Sequence, residues 1–484
     1  MNEIMNQDLS LQKVISTPED TTTMPSMNTS DFISAFGLDN LDIETINIYH
    51  EYDQIYIDVS LNKKPHKCPL CGTVTTRIKS YQLKRIRHSV LNPFPCTINY
   101  KARRYVCPTC GKTFYENNPF TCRRFNLSPA TVYNVLKELK HPQITFSYVA
   151  DKYHLSPSTV ANIFDQHIQI NRSELPECIS FDETYAFKNK DYNSDYICVL
   201  LDYTNKMIID VLPSRRKTFL FDYFYKIPKA EREKVKYVSF DMWETYRRVA
   251  KVMFPNCVCI VDKFHVLQEL SRRLTRIRVR VMHEQKVILD ELKKKQKDLK
   301  SLDMDLSPDD YYKLRRADEA YYLLKKFNWV LFSSNPDISD PNKEKKFNSK
   351  LNTYMNLNDI YHRITDIDKK IEEACNLHDL MHDFYRNCDY EHAKKELEAL
   401  IILFNSSNLK EMSDFSNTLR HWKKEIINSF IIIKTINRKM NNALIENRNK
   451  SIKLLKHSSN GYTNWERFRT RVLYCLNGNI KMRG

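Results

Sequence analysis

Residues 236–264, KYVSFDMWETYRRVAKVMFPNCVCIVDKF, decide how the chain is read. KYVSFDM is a short apolar run ended by Asp241. WETYRRVAKVMF has helical spacing, and NCVCIVDKF is a second apolar run ended by Asp262. The order is strand, helix, strand, with a carboxylate at the tip of each strand.

Working upstream, ECISFDE (177–183), YICVLLDYT (196–204) and KMIIDVLP (206–213) read as three neighbouring strands. A helical stretch begins at FLFDYFYKI and runs to about residue 235. Three strands followed by alternating helix and strand match the ribonuclease H-like order. That fold carries one acid on strand one and another at the end of strand four, and Asp182 and Asp241 occupy those places. Glu183 adjoins Asp182, but strand side chains alternate faces, so it is expected to point away. Asp202 and Asp210 read as edge or surface acids, and Trp243 as a core residue.

Downstream, NNALIENRNKSIK places Glu446 on a helix, with Lys450 and Lys453 on the same face. Three carboxylates from two strands and a distant helix, in a basic chain, suit a metal-dependent nuclease or strand transferase. Such enzymes hold two Mg²⁺ ions roughly 3.5–4 Å apart, and Mg²⁺ prefers oxygen ligands. Asp182, Asp241 and Glu446 are therefore the expected catalytic acids. Lys450 and Lys453 are accessory residues.

Lys and Arg number 76 against 59 Asp and Glu, a net charge of +17, which favours a polyanionic partner. The N-terminus lacks a basic start followed by an apolar run, so no signal peptide is expected. No stretch approaches the roughly 20 apolar residues of a membrane span. A cytoplasmic, nucleoid-associated location follows, and clustered cysteines there point to metal rather than disulfides.

Residues 1–40 are polar and expected to be disordered. IETINIYHEYDQIYIDVSL (43–61) alternates as a β-hairpin. It leads to Cys68-Pro-Leu-Cys71-Gly and, after 35 residues, Cys107-Pro-Thr-Cys110-Gly. The two-residue spacing lets both thiolates of a knuckle bind one tetrahedral ion. Cys68, Cys71, Cys107 and Cys110 are thus structural zinc ligands, and residues 41–125 a zinc ribbon. Cys96 and Cys122 are ordinary cysteines, and His88 a phosphate contact or surface residue. Residues 126–172 read as helical: SPATVYNVLKEL with Ser128 as N-cap, then a helix-turn-helix over 145–168. Ser158, Thr159 and Asn162, early in its second helix, suit base edges. The catalytic domain then spans 173–270 and 439–484. Between them lies an all-α insertion, 271–438, whose Arg272, Arg273, Arg276, Arg278 and Arg280 are available to line DNA.

From about residue 45 onward the sequence resembles the ISL-three family of bacterial insertion-sequence transposases. The likeness rests on CPLCG, on YVCPTCG with Arg103 and Arg104 before it, and on FDE at Asp182. It rests further on SFDMWETYRRVAKVMFPNCVCIVDKFHV and on NNALIENRNKSIKLLKHSSNGYTNWERFRTRVLY. The resemblance implies a multidomain α+β protein: zinc ribbon, helix-turn-helix, ribonuclease H-like DDE domain and α-helical insertion. It implies Mg²⁺-dependent cutting and joining of element ends, with Mn²⁺ able to substitute, on double-stranded DNA, by a homodimer or larger homo-oligomer. Asp182, Asp241 and Glu446 match the three acids. Asp262-Lys-Phe-His265 resembles the C/D-x-x-H signature that follows the second acid in related transposases, making Asp262 and His265 an accessory pair. Arg103 and Arg104 are expected DNA contacts. The alternative is a catalytically silent zinc-ribbon and helix-turn-helix regulator derived from a transposase.

Overall fold

The computed structural model describes residues 41–89, 94–121, 126–187, 194–333, 338–459 and 461–478, with Ser34, Leu38 and Tyr192. Cys122 and, apart from Ser34 and Leu38, the extension expected at 1–40 lie outside the described residues. The chain divides into two compact units, 1–166 and 167–484.

The smaller unit opens on the expected hairpin. Strands β1 (Ile43–Glu51) and β2 (Gln54–Leu61) pair antiparallel. A two-strand knuckle follows, β3 (His66–Lys67) and β4 (Val74–Thr75). Then come β5 (Ile78–Arg87), β6 (Cys96–Val106) and β7 (Thr113–Tyr115). The sheet order is β1-β2-β6-β5, with β7 on the end of β6. Ile57, Val59, Ile86, Ile98, Tyr100 and Ala102 point to one side and bury Phe120. Every second residue of β6 from Cys96 to Ala102 is buried, as period-two alternation requires.

Three helices complete this unit: α1 (Pro129–Glu138), α2 (Phe146–Lys152) and α3 (Pro157–His167). Ser128 caps α1, its Oγ accepting from the Thr131 amide at 3.1 Å, with Pro129 in the first turn. Ser156 Oγ accepts from the Thr159 amide at 3.1 Å and starts α3. Between α2 and α3 the chain reverses through His154, at φ 53°. Val149, Val160, Ile163 and Phe164 are fully buried.

The larger unit holds β8 (Cys178–Thr184), β9 (Ile197–Asp202), β10 (Met207–Leu212), helices α4 (Lys217–Tyr225) and α5 (Lys229–Arg232), β11 (Tyr237–Phe240), α6 (Glu244–Met253) and β12 (Val258–Val261). Strand order is β10-β9-β8-β11-β12. β8, β9 and β10 run antiparallel, whereas β11 is parallel to both β8 and β12. The strands are buried on both faces, which explains their continuous apolar runs. Phe181, Val238, Phe240 and Val261 face one core with Leu220, Phe224, Tyr246 and Val249. Val199, Ile208 and Ile260 face the other, with residues of α14 (Ala443–Ser458) and α15 (Trp465–Leu476).

Between β12 and α14 lies a helical bundle. It begins with α7 (Lys263–Lys300), a single helix of 38 residues. Val266, Leu270, Leu274, Ile277 and Val281, buried at helical spacing, run through the boundary expected at 270, so no break falls there. α8 (Pro308–Lys326), α9 (Leu357–Thr365), α10 (Lys369–Asn387), α11 (Tyr390–Ser406), α12 (Lys410–His421) and α13 (Lys423–Asn428) follow. A short hairpin, β13 (Lys346–Asn348) and β14 (Thr353–Met355), corrects the all-α expectation. α13 returns the chain to the sheet, where Asn428 Nδ2 donates to the Cys259 carbonyl at 2.8 Å.

Several charged residues differ from expectation. Asp202 is buried and accepts from the Thr204 and Asn205 amides, closing the β9–β10 turn. Asp210 is buried too, bound by Arg469 at 2.6 Å and Tyr223 at 2.9 Å. Arg278, expected among the arginines available to line DNA, is instead buried and donates to the Leu324 carbonyl. Arg103, expected on DNA, is 2 % exposed. Its guanidinium donates to Glu116, Glu44 and the carbonyls of Leu61 and Asn62. Arg104 is half-buried, bonded to Thr113 Oγ1 at 2.8 Å and stacked over Tyr115. Arg103 therefore fastens the β1–β2 hairpin to β6. Arg103→Ala strands the buried Glu116 carboxylate and should cost about 3–5 kcal/mol. Arg104→Ala should cost about 1 kcal/mol. Denaturant titration of the two variants checks the difference; equal costs would contradict the assignment.

Candidate active site

The acids gather at one end of the larger sheet. Ser239 of β11 pairs in register with Ser180 of β8, so Asp241 emerges level with Asp182. Asp262 follows β12 and stands at the N-terminus of α7. Glu446 lies in the first turn of α14, which packs on β8. Asp182 Oδ1 accepts from the Glu183 amide at 2.8 Å, and Oδ2 from Asn449 Nδ2 at 2.8 Å. Asp262 Oδ1 accepts from the Asn442 amide at 3.2 Å, while Ser239 Oγ donates to Asn442 Oδ1 at 2.7 Å. Asn442 and Asn449 thus tie α14 to the strands that carry the acids.

Burial, reinforced by the charges of Glu183, Glu446 and Asp262, raises Asp182 to about 7. Burial, then Glu183 and Asp182, raises Asp241 to about 8, although Arg215 opposes the shift. Burial and Glu446 raise Asp262 to about 6. Crowded, desolvated carboxylates resist ionising together. Asp241 Oδ1 and Asp262 Oδ2 are also buried without a hydrogen-bond partner. An all-oxygen donor set with unsatisfied buried oxygens fits a hard divalent cation. Ligand atoms of Asp262, His265 and Glu446 lie within 4.8 Å of one another. Burial, helped by the charge of Arg272, lowers the His265 pKa, and its Nε2 is buried without a hydrogen-bond partner.

The placement differs in part from expectation. Asp262 and His265, rather than Asp241, lie against Glu446, while Asp241 feels Asp182 and Glu183. Asp182 feels the charges of Glu446 and Asp262 and in turn raises Asp241. Glu183 binds Arg215, whose guanidinium stacks on Tyr196 and Trp243 at 4.3 and 4.9 Å. Trp243 is half-buried against Tyr246. Lys450 and Lys453 are exposed on α14. Sequence reasoning missed Asn442 and Asn449. Asn449 sits one helical turn after Glu446, and asparagine is a poor residue inside a helix, which was the available signal.

In the smaller unit the four cysteines converge. Cys68 Sγ lies 3.6 Å from Cys110 Sγ, and Cys71 Sγ 3.4 Å from Cys107 Sγ. A tetrahedral ion with Zn–S bonds of 2.3 Å requires sulfurs about 3.8 Å apart, so the cluster fits zinc. Each knuckle closes with a glycine amide on the first cysteine carbonyl: Gly72 on Cys68 and Gly111 on Cys107. Both glycines have φ near +70°, a conformation that excludes most side chains. His88, expected at the surface, is buried with Nδ1 2.7 Å from Ser128 Oγ. On α3, Ser158 and Asn162 are exposed and Thr159 is half-buried. The Ser158 and Thr159 hydroxyls also bond Ser156 Oγ.

Two outcomes follow from this geometry. Elemental analysis of purified protein should find one zinc per chain, lost in Cys107→Ala; absence of zinc in the wild type would contradict the site. The acids give a pH signature. Asp241 binds its proton more tightly folded than unfolded, so the native state holds the extra proton. In chelator, stability should therefore fall as pH rises from near 3.8 towards about 8. Asp241→Asn should flatten that fall, and Mn²⁺ should raise the wild-type melting temperature more than the variant's. Parallel pH–melting curves for the two proteins would contradict the shift.

Known families match the stretches that hold both sites. A family described as "Transposase", the ISL3 group of DDE transposases, matches residues 179–472, which hold every acid above. A second family, the zinc finger of transposases IS204/IS1001/IS1096/IS1165, matches residues 64–110, which hold the four cysteines. The transposase for insertion sequence element IS1001 of Bordetella parapertussis is 18% identical over 419 residues, covering 86% of this chain and 89% of the relative. No described helix is long and apolar enough to cross a membrane. On the match to most of its larger unit, the chain belongs to the ISL-three family of transposases.

Proposed function

We propose that the chain binds the terminal repeats of its insertion sequence and cuts and joins DNA strands in a reaction that needs Mg²⁺ or Mn²⁺. The observation that carries this reading is the crowding of Asp182, Asp241, Asp262 and Glu446 at one sheet end, with buried oxygens that nothing in the chain satisfies. A strand order with three antiparallel strands followed by two parallel ones supports a ribonuclease H-like domain interrupted by the helical bundle. A silent regulator has no use for desolvated acids that repel one another.

Asp182, Asp241 and Glu446 are proposed as the ligands. When bound, a divalent pair supplies Lewis acidity to the scissile phosphate and an activated nucleophile. The chain's own part is positional. Asn449 fixes the Asp182 carboxylate, and the Ser239–Asn442–Asp262 chain fixes the start of α14 and hence Glu446. Asp262 and His265 brace Glu446 from the α7 side. Lys450 and Lys453, exposed beyond Glu446, neutralise strand phosphates. The zinc ribbon and α2–α3, as a helix-turn-helix, carry end recognition, with Asn162 the base-reading candidate on α3.

DNA bearing the element ends tests this. Asp182→Asn, Asp241→Ala and Glu446→Ala should reduce Mn²⁺-dependent cleavage to background and leave end binding intact. Asp262→Ala should retain activity lowered roughly 10–100-fold, as for residues that support a ligand. If Asp262→Ala is inactive and Asp241→Ala is not, the two roles are exchanged. Asn162→Ala should weaken end binding by about 1–3 kcal/mol.

A further inference from the structure

A cavity of about 600 Å³ opens between α7 and α10, beside the acid cluster. One wall is the first two turns of α7, immediately after Asp262: Lys263, Phe264 and Gln268. The other is the last two turns of α10: His382, Tyr385 and Arg386. Phe264, Leu267 and Gln268 on α7, and His382, Tyr385 and Arg386 on α10, follow the i, i+3, i+4 spacing that puts residues on one helix face. Tyr385 lies within the field of Asp262, so the cavity and the acids are neighbours.

The chemistry of these walls is unusual for a seam between packed helices. Tyr385 is 9 % exposed, yet its hydroxyl has no hydrogen-bond partner, at a real desolvation cost. Gln268 Oε1 takes Arg272, and its amide nitrogen has no partner among the described residues. Burial, then the neighbouring His378, holds the His382 pKa below the usual histidine range, and its two ring nitrogens are groups able to donate or accept. Phe264, apolar and 50 % exposed, stands at the mouth. Lys263 and Arg386 are exposed cations on the rim. An aromatic face, three groups able to bond a ring edge and a cationic rim together describe a nucleotide-sized site. Its volume lies within the roughly 300–1,000 Å³ of small-molecule pockets.

We propose that this cavity receives one unstacked nucleotide of the DNA being cut, its base against Phe264 and its edge read by Gln268, His382 and Tyr385, with Lys263 and Arg386 on the flanking phosphates. A base lifted from the stack would let the backbone turn at the scissile phosphate and bring it to the acids. The inference rests on the transposase reading above and specifies how the helical bundle takes part.

The test uses full-length protein and end duplexes carrying a single mismatch, walked through the positions flanking the cleavage site. Phe264→Ala and Gln268→Ala should cut fully paired ends about tenfold more slowly than wild type, the size of one lost base–aromatic stack. Phe264→Trp should stay within about threefold. A mismatch at one position, which lowers the cost of unstacking, should restore Phe264→Ala to within about threefold, and mismatches elsewhere should not. If both variants cut paired ends at the wild-type rate, or no mismatch rescues either, the pocket is not a nucleotide site, while wild-type cleavage still upholds the function. If the wild type cuts no end duplex, the functional reading fails and the pocket proposal falls with it.

Discussion

Like charges in a desolvated place repel, and the larger unit gathers five carboxylates at one sheet end: Asp182, Glu183, Asp241, Asp262 and Glu446. Everything around them limits that repulsion. Glu183 is turned to Arg215, which is itself held between Tyr196 and Trp243. Asn449 donates to Asp182, and the Asn442 amide to Asp262. What remains uncompensated is the part that a divalent cation would neutralise. The sheet must in turn be covered on both faces so that the site stays dry enough for those charges to act strongly.

The same logic separates the two kinds of charged residue in the chain. Arg103, Arg278 and Asp210 look like surface residues in a one-dimensional reading, yet each fastens distant segments from inside. Arg103 ties the first hairpin to the zinc-bearing sheet, and Asp210 joins β10 to α4 and α15. Their burial depends on partners 13 to 259 residues away. The pairs were invisible in local sequence patterns for that reason.

Much else was legible. Apolar runs ended by acids marked β8, β11 and β12 because strands buried on both faces leave no polar alternation to confuse them. The cysteine knuckles were legible because two-residue spacing and a positive-φ glycine have few other uses. Ser128 and Pro129 announced the start of α1 for local reasons of capping. The relation between Asp241 and Asp262 was not legible. Both end neighbouring strands, and only the packing of α14 shows which one lies against Glu446. Nor did a strong helical pattern reveal that α7 begins at the acid site itself, or that a small hairpin interrupts the bundle.

That last helix has a mechanical meaning. At 1.5 Å per residue, α7 is a rod about 57 Å long. Its first turn carries His265, and its far end projects among the surface helices. A rod of this kind transmits tilt rather than absorbing it: a displacement of several ångströms at the tip reaches the His265 end as a small rotation. Trimming the bundle would therefore shorten the helix whose first turn stands beside the acid site. Splicing out residues 271–438 would sever that helix after its second turn.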